Sequence, residues 1–206
     1  MARPRGMPDN RGALEDARRR LIAQLQLAFS GELGAGHAYR GHWRSLRDPE
    51  ERTRVRQIED EEWHHRRLVE EMLRDLGTRP RRWREAAFWI IGKTLGALCH
   101  LAGWFASMYG AGRLERRNIK EYEDAAVYAQ ACGRADLIDC LLTMAEVEWD
   151  HEQYFRAKAA AHPLARWVPL WPPPPPRESI RAAFAERDGA GAGSPVEPAL
   201  AAVPME

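Results

Sequence analysis

Apolar side chains recur along this chain at alternating steps of three and four residues, the spacing that keeps one face of a helix against a core. One stripe runs Leu21, Leu25, Ala28, Glu32, Ala35, Tyr39, and a second runs Val55, Ile58, Glu62, His65, Val69, Met72, Leu76. A third follows Leu101, Phe105, Met108, Gly112, Glu115, Ile119, Tyr122, Ala126, Ala129, and a fourth follows Leu137, Leu141, Met144, Glu148, His151, Phe155. The pattern predicts helices from about Leu14 to Leu46 and from about Glu50 to Leu76, a third helical region over about 83–131, and a fourth helix over about 135–160. Asp48-Pro49, the "LGTRP" run with Gly77 and Pro80, and "ACGRAD" supply the breaks between them. Strand-type runs are absent, so the expected class is all-α.

Each stripe is apolar except at one level, where it carries Glu32, Glu62 with His65, Glu115, and Glu148 with His151. Four carboxylates gathered inside a bundle repel one another, and unpaired buried charge is too costly to keep. Either their pKa values rise until they are neutral, or something positive sits among them, and two divalent metal ions would resolve this directly. One Glu from each of two helices plus Glu-x-x-His from each of the other two is the ligand logic of ferritin-like di-iron bundles. The i,i+3 spacing sets carboxylate and imidazole on one helix face, and the oxygen and imidazole donors suit iron, with manganese as the alternative. Thirty residues separate Glu32 from Glu62 and thirty-three separate Glu115 from Glu148, each a helical hairpin. The longer Glu62–Glu115 interval leaves room for a crossover between helices 2 and 3. The expectation is therefore a ferritin-like four-helix bundle with a long crossover, its metal ligands and catalytic residues being Glu32, Glu62, His65, Glu115, Glu148 and His151.

"EDEEWHHRR" also contains Glu61-x-x-His64, one residue off the stripe, so the on-stripe pair Glu62 and His65 is preferred. Glu59, Asp60, Glu61, Glu70 and Glu71 read as a solvated face. His37, His42, His64 and His100 read as surface or core-edge residues. Tyr39 and Tyr122 lie on the stripes near the ligands, suited either to hydrogen-bonding them or to core packing. Gly31, Gly34 and Gly36 cost the first helix about 1 kcal/mol each relative to alanine. They imply either thinning for a substrate or the close approach of a neighbouring backbone.

Charge and cysteine content narrow the class. The chain's 31 basic and 30 acidic side chains nearly cancel, which gives no case for nucleic-acid binding. Cys99, Cys132 and Cys140 form no CxxC pair, which suits a reducing compartment. The N-terminal stretch shows no apolar secretory signal. Residues 1–12 read as a flexible arm, 13–160 as the bundle, and 161–206 as a proline-rich, largely disordered tail. Within the bundle, 83–112 joins arginines to Trp83, Phe88, Trp89, Ile90 and Ile91, and no formally charged side chain follows from 94 to 112. That mixture predicts a helix lying in a membrane surface; ordinary burial against the bundle or in a homodimer interface is the other reading.

Residues 20–156 resemble the demethoxyubiquinone hydroxylase family of ubiquinone biosynthesis. The resemblance rests on "GELGAGHAYRG", the two Glu-x-x-His motifs and "LGALCHLAGWFASMYGAGRLE" leading into Glu115. It implies the same six ligands, two iron ions, a lipophilic quinone-like substrate, O2, an external reductant, and a monooxygenase peripheral to a membrane. The corresponding location is cytoplasmic, or on the cytoplasmic face of the inner membrane. Three features depart from the family pattern: Glu121-Tyr122 stands where a His-Tyr pair is usual, "FSGE" where a histidine usually precedes the first motif, and the proline-rich tail is additional. Two other functions share parts of the pattern. One is a rubrerythrin- or ferritin-like peroxidase or ferroxidase. The other is a non-enzymatic bundle whose tail docks a partner.

Overall fold

A computed structural model describes residues 11–191. The helices are α1 (Arg11–Ser45), α2 (Pro49–Asp75), α3 (Arg82–Ala102), α4 (Trp104–Ala131), α5 (Ile138–Ala161) and α6 (Glu178–Gly191), with short 3-10 turns at Ala135–Leu137 and Pro163–Arg166. Helices α1, α2, α4 and α5 form the four-helix bundle. α1 packs on α2 and α4, and α4 packs on α5. Side chains of α2 and α5 meet across the middle; at one end, Lys158 Nζ on α5 and Trp104 Nε1 on α4 both donate to Glu51 of α2, at 2.8 and 2.7 Å.

Local chemistry explains the helix ends. The Asp48 carboxylate accepts the Glu51 amide at 2.8 Å and Pro49 opens α2, which satisfies an otherwise unpaired amide of its first turn. Beyond α2, Gly77 turns the chain at φ 68°. The region expected as one helical run over 83–131 is broken at Gly103. There φ is 82° and ψ is 167°, a conformation costly for any residue with a Cβ. Leu101, the expected start of the third stripe, lies before this break and is 82 % exposed. The buried stripe of α4 begins at Met108 instead and then follows Gly112, Glu115, Ile119, Tyr122, Ala126 and Ala129.

The crossover between the two hairpins is therefore itself a helix, α3, laid along the outside of α1. A Cβ on Gly92 would lie 2.3 Å from the Gly34 carbonyl oxygen, and one on Gly41 would lie 2.3 Å from the Gly96 Cα. Two glycines on each helix thus let the backbones touch. Gly36 serves α2 in the same way, by making room for the Trp63 ring.

The stretch from 161, expected to be largely disordered, holds the helix α6 and is anchored on the bundle at Trp171, Ile180 and Phe184. Its anchors are apolar. Trp171 is buried with its ring against Gly112, where a Cβ would come within 2.3 Å of Cζ2. Ile180 of α6 joins the main core cluster with Leu141, Leu142 and Ile119. The proline run follows the surface between these anchors, and the Trp149 indole N–H donates to the Pro175 carbonyl at 2.8 Å. Most of the expected N-terminal arm (1–10) and of the flexible end (192–206) lies outside the described residues.

Candidate metal centre

All six expected ligands are buried at one level of the bundle. Glu32 comes from α1, Glu62 and His65 from α2, Glu115 from α4, and Glu148 and His151 from α5. They form two overlapping sets whose ligand atoms lie within 4.8 Å of one another: Glu32, Glu62, His65 and Glu148, and Glu62, Glu115, Glu148 and His151. Glu62 and Glu148 belong to both sets, so the two sets share two carboxylates. His65 Nδ1 lies 3.0 Å from Glu148 Oε1, and His151 Nδ1 lies 3.3 Å from Glu62 Oε1 and 3.6 Å from Glu148 Oε2.

A second layer of side chains holds this set. Tyr39 on α1 donates its hydroxyl to Glu115 Oε1, and Tyr122 on α4 donates to Glu32 Oε1. Both tyrosines therefore bond the site as well as packing the core. Asn118, one helical turn beyond Glu115, donates to Glu115 Oε2 at 2.9 Å. Its position three residues after a ligand was the available sequence signal. Glu61 keeps a 40 % exposed side chain but also reaches the site. Its Oε2 accepts from His151 Nε2 at 2.6 Å, while Arg54 lies at 3.2 Å on its outer side. Glu59 is buried, and it accepts from Arg40 Nε, Trp43 Nε1 and Trp63 Nε1. The remaining histidines lie outside both sets. His64 and His100 are exposed. His37 lies edge-on to Trp63 and Trp89, and His42 stacks on Tyr39 and Phe155, where burial pulls its pKa down to about 4.

Without cations, protons must balance the cluster. Burial, and then the neighbouring Glu62 charge, push the Glu32 carboxyl well above its usual pKa; burial and Glu148 do the same to Glu115. Glu148 moves the other way, because the His151 and His65 rings beside it outweigh its burial. His151 is raised, burial being outweighed by the surrounding Glu148, Glu61 and Glu62 carboxylates. Even so, Glu32 Oε2, both Glu62 oxygens, Glu148 Oε2 and His151 Nδ1 are buried without a hydrogen-bond partner. Orphaned acceptors of this kind are rare in a finished core. Here they converge from opposite helices, and they are hard oxygen and imidazole donors. The residues fit a pair of divalent cations such as Fe(II) or Mn(II).

A cavity of about 140 Å³ reaches this centre between α1, α3 and α4. Glu32, Tyr122 and Asn118 line its polar part, with Glu121 and Arg117 also on its wall; Gly31, Phe88, Ile91, Leu95 and Leu114 are among its apolar lining. Nothing lies within 4 Å of where a Gly31 Cβ would stand, so this glycine borders open space.

The family model for ubiquinone biosynthesis protein COQ7 matches residues 20–166. The chain belongs to this family. Family membership implies a role in ubiquinone biosynthesis, and the buried Glu/His cluster is compatible with the metal binding of such a hydroxylase. The matched segment contains all six clustered residues and both second-layer tyrosines, and ends before Trp171 and α6. No curated protein and no solved structure matches the chain. Among the described residues, no helix is long and apolar enough to cross a membrane.

Proposed function

We propose that this protein is a di-iron monooxygenase that hydroxylates the ring of a demethoxyubiquinone-like quinone, using O2 and two electrons from an external reductant. One atom of O2 enters the ring C–H bond and the other leaves as water with two protons. The observation that carries this reading is the cavity. It sets Glu32, one of the six clustered residues, and its partner Tyr122 beside an apolar wall that continues onto the outer surface. Ile91, Leu95 and Leu114 line the cavity and are also 47 %, 45 % and 38 % exposed.

Glu32, Glu62, His65, Glu115, Glu148 and His151 would hold the two iron ions. Bound there, the metal pair supplies reductive activation of O2. The chain's own residues do the rest. Tyr122 and Tyr39 hold Glu32 and Glu115 by one carboxylate oxygen each, and Asn118 fixes the second oxygen of Glu115. The apolar cavity wall excludes water from the ring. Beside the cavity, α3 presents Trp83, Ile90, Leu98 and Leu101 outward, with Arg81, Arg82 and Lys93 also exposed. Apolar anchors mixed with cations suit the headgroup region of a lipid surface. A quinone with a long isoprenoid tail could pass from lipid into the cavity without crossing water.

The test is heavy-isotope dioxygen supplied to Fe(II)-loaded protein on lipid vesicles containing demethoxyubiquinone and a chemical reductant. One labelled oxygen in the product ring supports the proposal. Metal-loaded protein that leaves the quinone unchanged while consuming peroxide overturns it in favour of a rubrerythrin-like peroxidase.

A further inference from the structure

The two metal positions have unequal surroundings. His151 and His65 both turn Nδ1 toward the cluster. On the far side of the His151 ring, Nε2 meets Glu61 Oε2 at 2.6 Å, and Arg54 keeps Glu61 in place from the outside. A proton held on Nε2 by that carboxylate leaves Nδ1 as the lone-pair nitrogen, with the ring already oriented. His65 has no equivalent. Among the described residues, no side chain hydrogen-bonds its other nitrogen, and its ring lies edge-on to Tyr122. The sequence gives the reason. Glu61 precedes the α2 ligand Glu62, whereas the residue preceding the α5 ligand Glu148 is Val147, whose side chain has no polar atom.

The carboxylates add to the difference. Glu115, in the His151 set, has both oxygens held, by Tyr39 and Asn118. Glu32, in the other set, is held by Tyr122 through Oε1 alone, and its Oε2 is unpartnered beside the cavity.

We infer that Glu61 is a positioning residue that makes the metal position of Glu115 and His151 the tighter one, filled first, and leaves the position of Glu32 and His65 the more weakly held, on the cavity side. This rests on the di-metal reading of the site. Its consequence for that reading is that Glu32, the less constrained carboxylate, is the one left free to move beside the cavity.

The experiment is a Mn(II) titration of the metal-free, full-length protein, with unbound Mn(II) followed by electron paramagnetic resonance. The wild type should bind in two separated steps. Glu32→Ala should remove the weak step and keep the tight one, while Glu115→Ala should remove the tight one. Glu61→Gln keeps an acceptor but loses the charge. It should weaken the tight step by about tenfold or more and spare the weak step, with Glu61→Asp recovering part of the loss. Two equal steps in the wild type, loss of the tight step in Glu32→Ala, or an unchanged tight step in Glu61→Gln each overturn the inference. The Glu32 and Glu115 variants test the order without touching Glu61, so a poorly folding Glu61 variant does not shelter it. No bound Mn(II) or Fe(II) in the wild type would instead remove the metal reading itself.

Discussion

Tyr122, on α4, hands its hydroxyl hydrogen to Glu32, on α1, at a point where both side chains are buried and both border the cavity. This bond ties the two hairpins together at the ligand level. It also accounts for one Glu32 oxygen and leaves the other to face the cluster. Replacing Tyr122 by phenylalanine keeps the ring but strands the Glu32 oxygen. The metal-free variant should lose about 1–3 kcal/mol of stability, the usual cost of an unsatisfied buried acceptor. Denaturant unfolding of Tyr122→Phe with and without Fe(II) checks this. The deficit should shrink on loading, because a cation then takes over the stranded carboxylate. An equal deficit in both states would mean the bond is only packing.

Protons stand in for cations in the metal-free cluster, which gives its stability a particular pH dependence. Glu32, Glu115 and His151 all have folded pKa values raised above their ordinary ones. At each, the folded chain binds more protons than the unfolded chain, so the stabilising contribution is complete below the ordinary pKa and fades as pH rises through the raised value. Glu148 is lowered, and its contribution is lost only on the acid side. From about pH 6.5 upward, where the lowered His42 no longer adds stability with rising pH, the melting temperature of stripped protein should therefore fall. Fe(II) or Mn(II) should abolish that fall, because binding displaces the same protons. A melting temperature of stripped protein that is flat or rising over that range would contradict the proton assignment.

The stripes made most of this legible from sequence. Every polar stripe residue from Glu32 to His151 arrives at one level, because a helical period that buries Leu25 and Ile58 also buries whatever stands at the same phase. The exception is instructive. Periodicity carried the third stripe back to Leu101 because it does not register a backbone break, and Gly103 was one glycine among several in an apolar run. Glu61 was missed because its phase is off the stripe; what draws it in is His151 on a helix ninety residues away. The strap from Trp171 to α6 was hidden by its own composition. A proline run signals extended backbone, but nothing local shows that the run lies along its own bundle.

Among the glycines of α1 and α3, two kinds of space predict opposite outcomes. A Cβ on Gly31 would meet nothing within 4 Å and would point into the cavity region. Gly31→Leu should fold well, helped by about 1 kcal/mol of helix propensity. It should bind metal normally and lose quinone hydroxylation. Gly92→Ala meets the Gly34 backbone and should instead lower the melting temperature by pushing α3 off α1. Activity assays paired with metal stoichiometry separate the two. Full hydroxylation in Gly31→Leu would show that substrate enters elsewhere.

Trp171 packs on α4 one helical turn before Glu115. Its ring fills the notch above Gly112, and its indole N–H donates to the fully buried Glu152 at 2.6 Å. Arg156 completes the clamp. It bonds Glu152 at 2.6 Å and the Trp171 and Pro172 carbonyls at 3.1 and 3.2 Å. Truncating a buried tryptophan costs about 3–5 kcal/mol, so Trp171→Ala should melt well below wild type even though the four bundle helices are untouched. Gly112→Ala offers the cleaner comparison, since it adds one methyl and expels the ring without removing it. Both variants should expose the proline run and α6 to limited proteolysis, while Trp171→Phe, which keeps most of the ring and loses only the Glu152 bond, should remain largely protected. If all three were as resistant as wild type, α6 would be held by its own contacts, among them Ile180 and Phe184 on the core and Arg181 on Asp139 and Glu146.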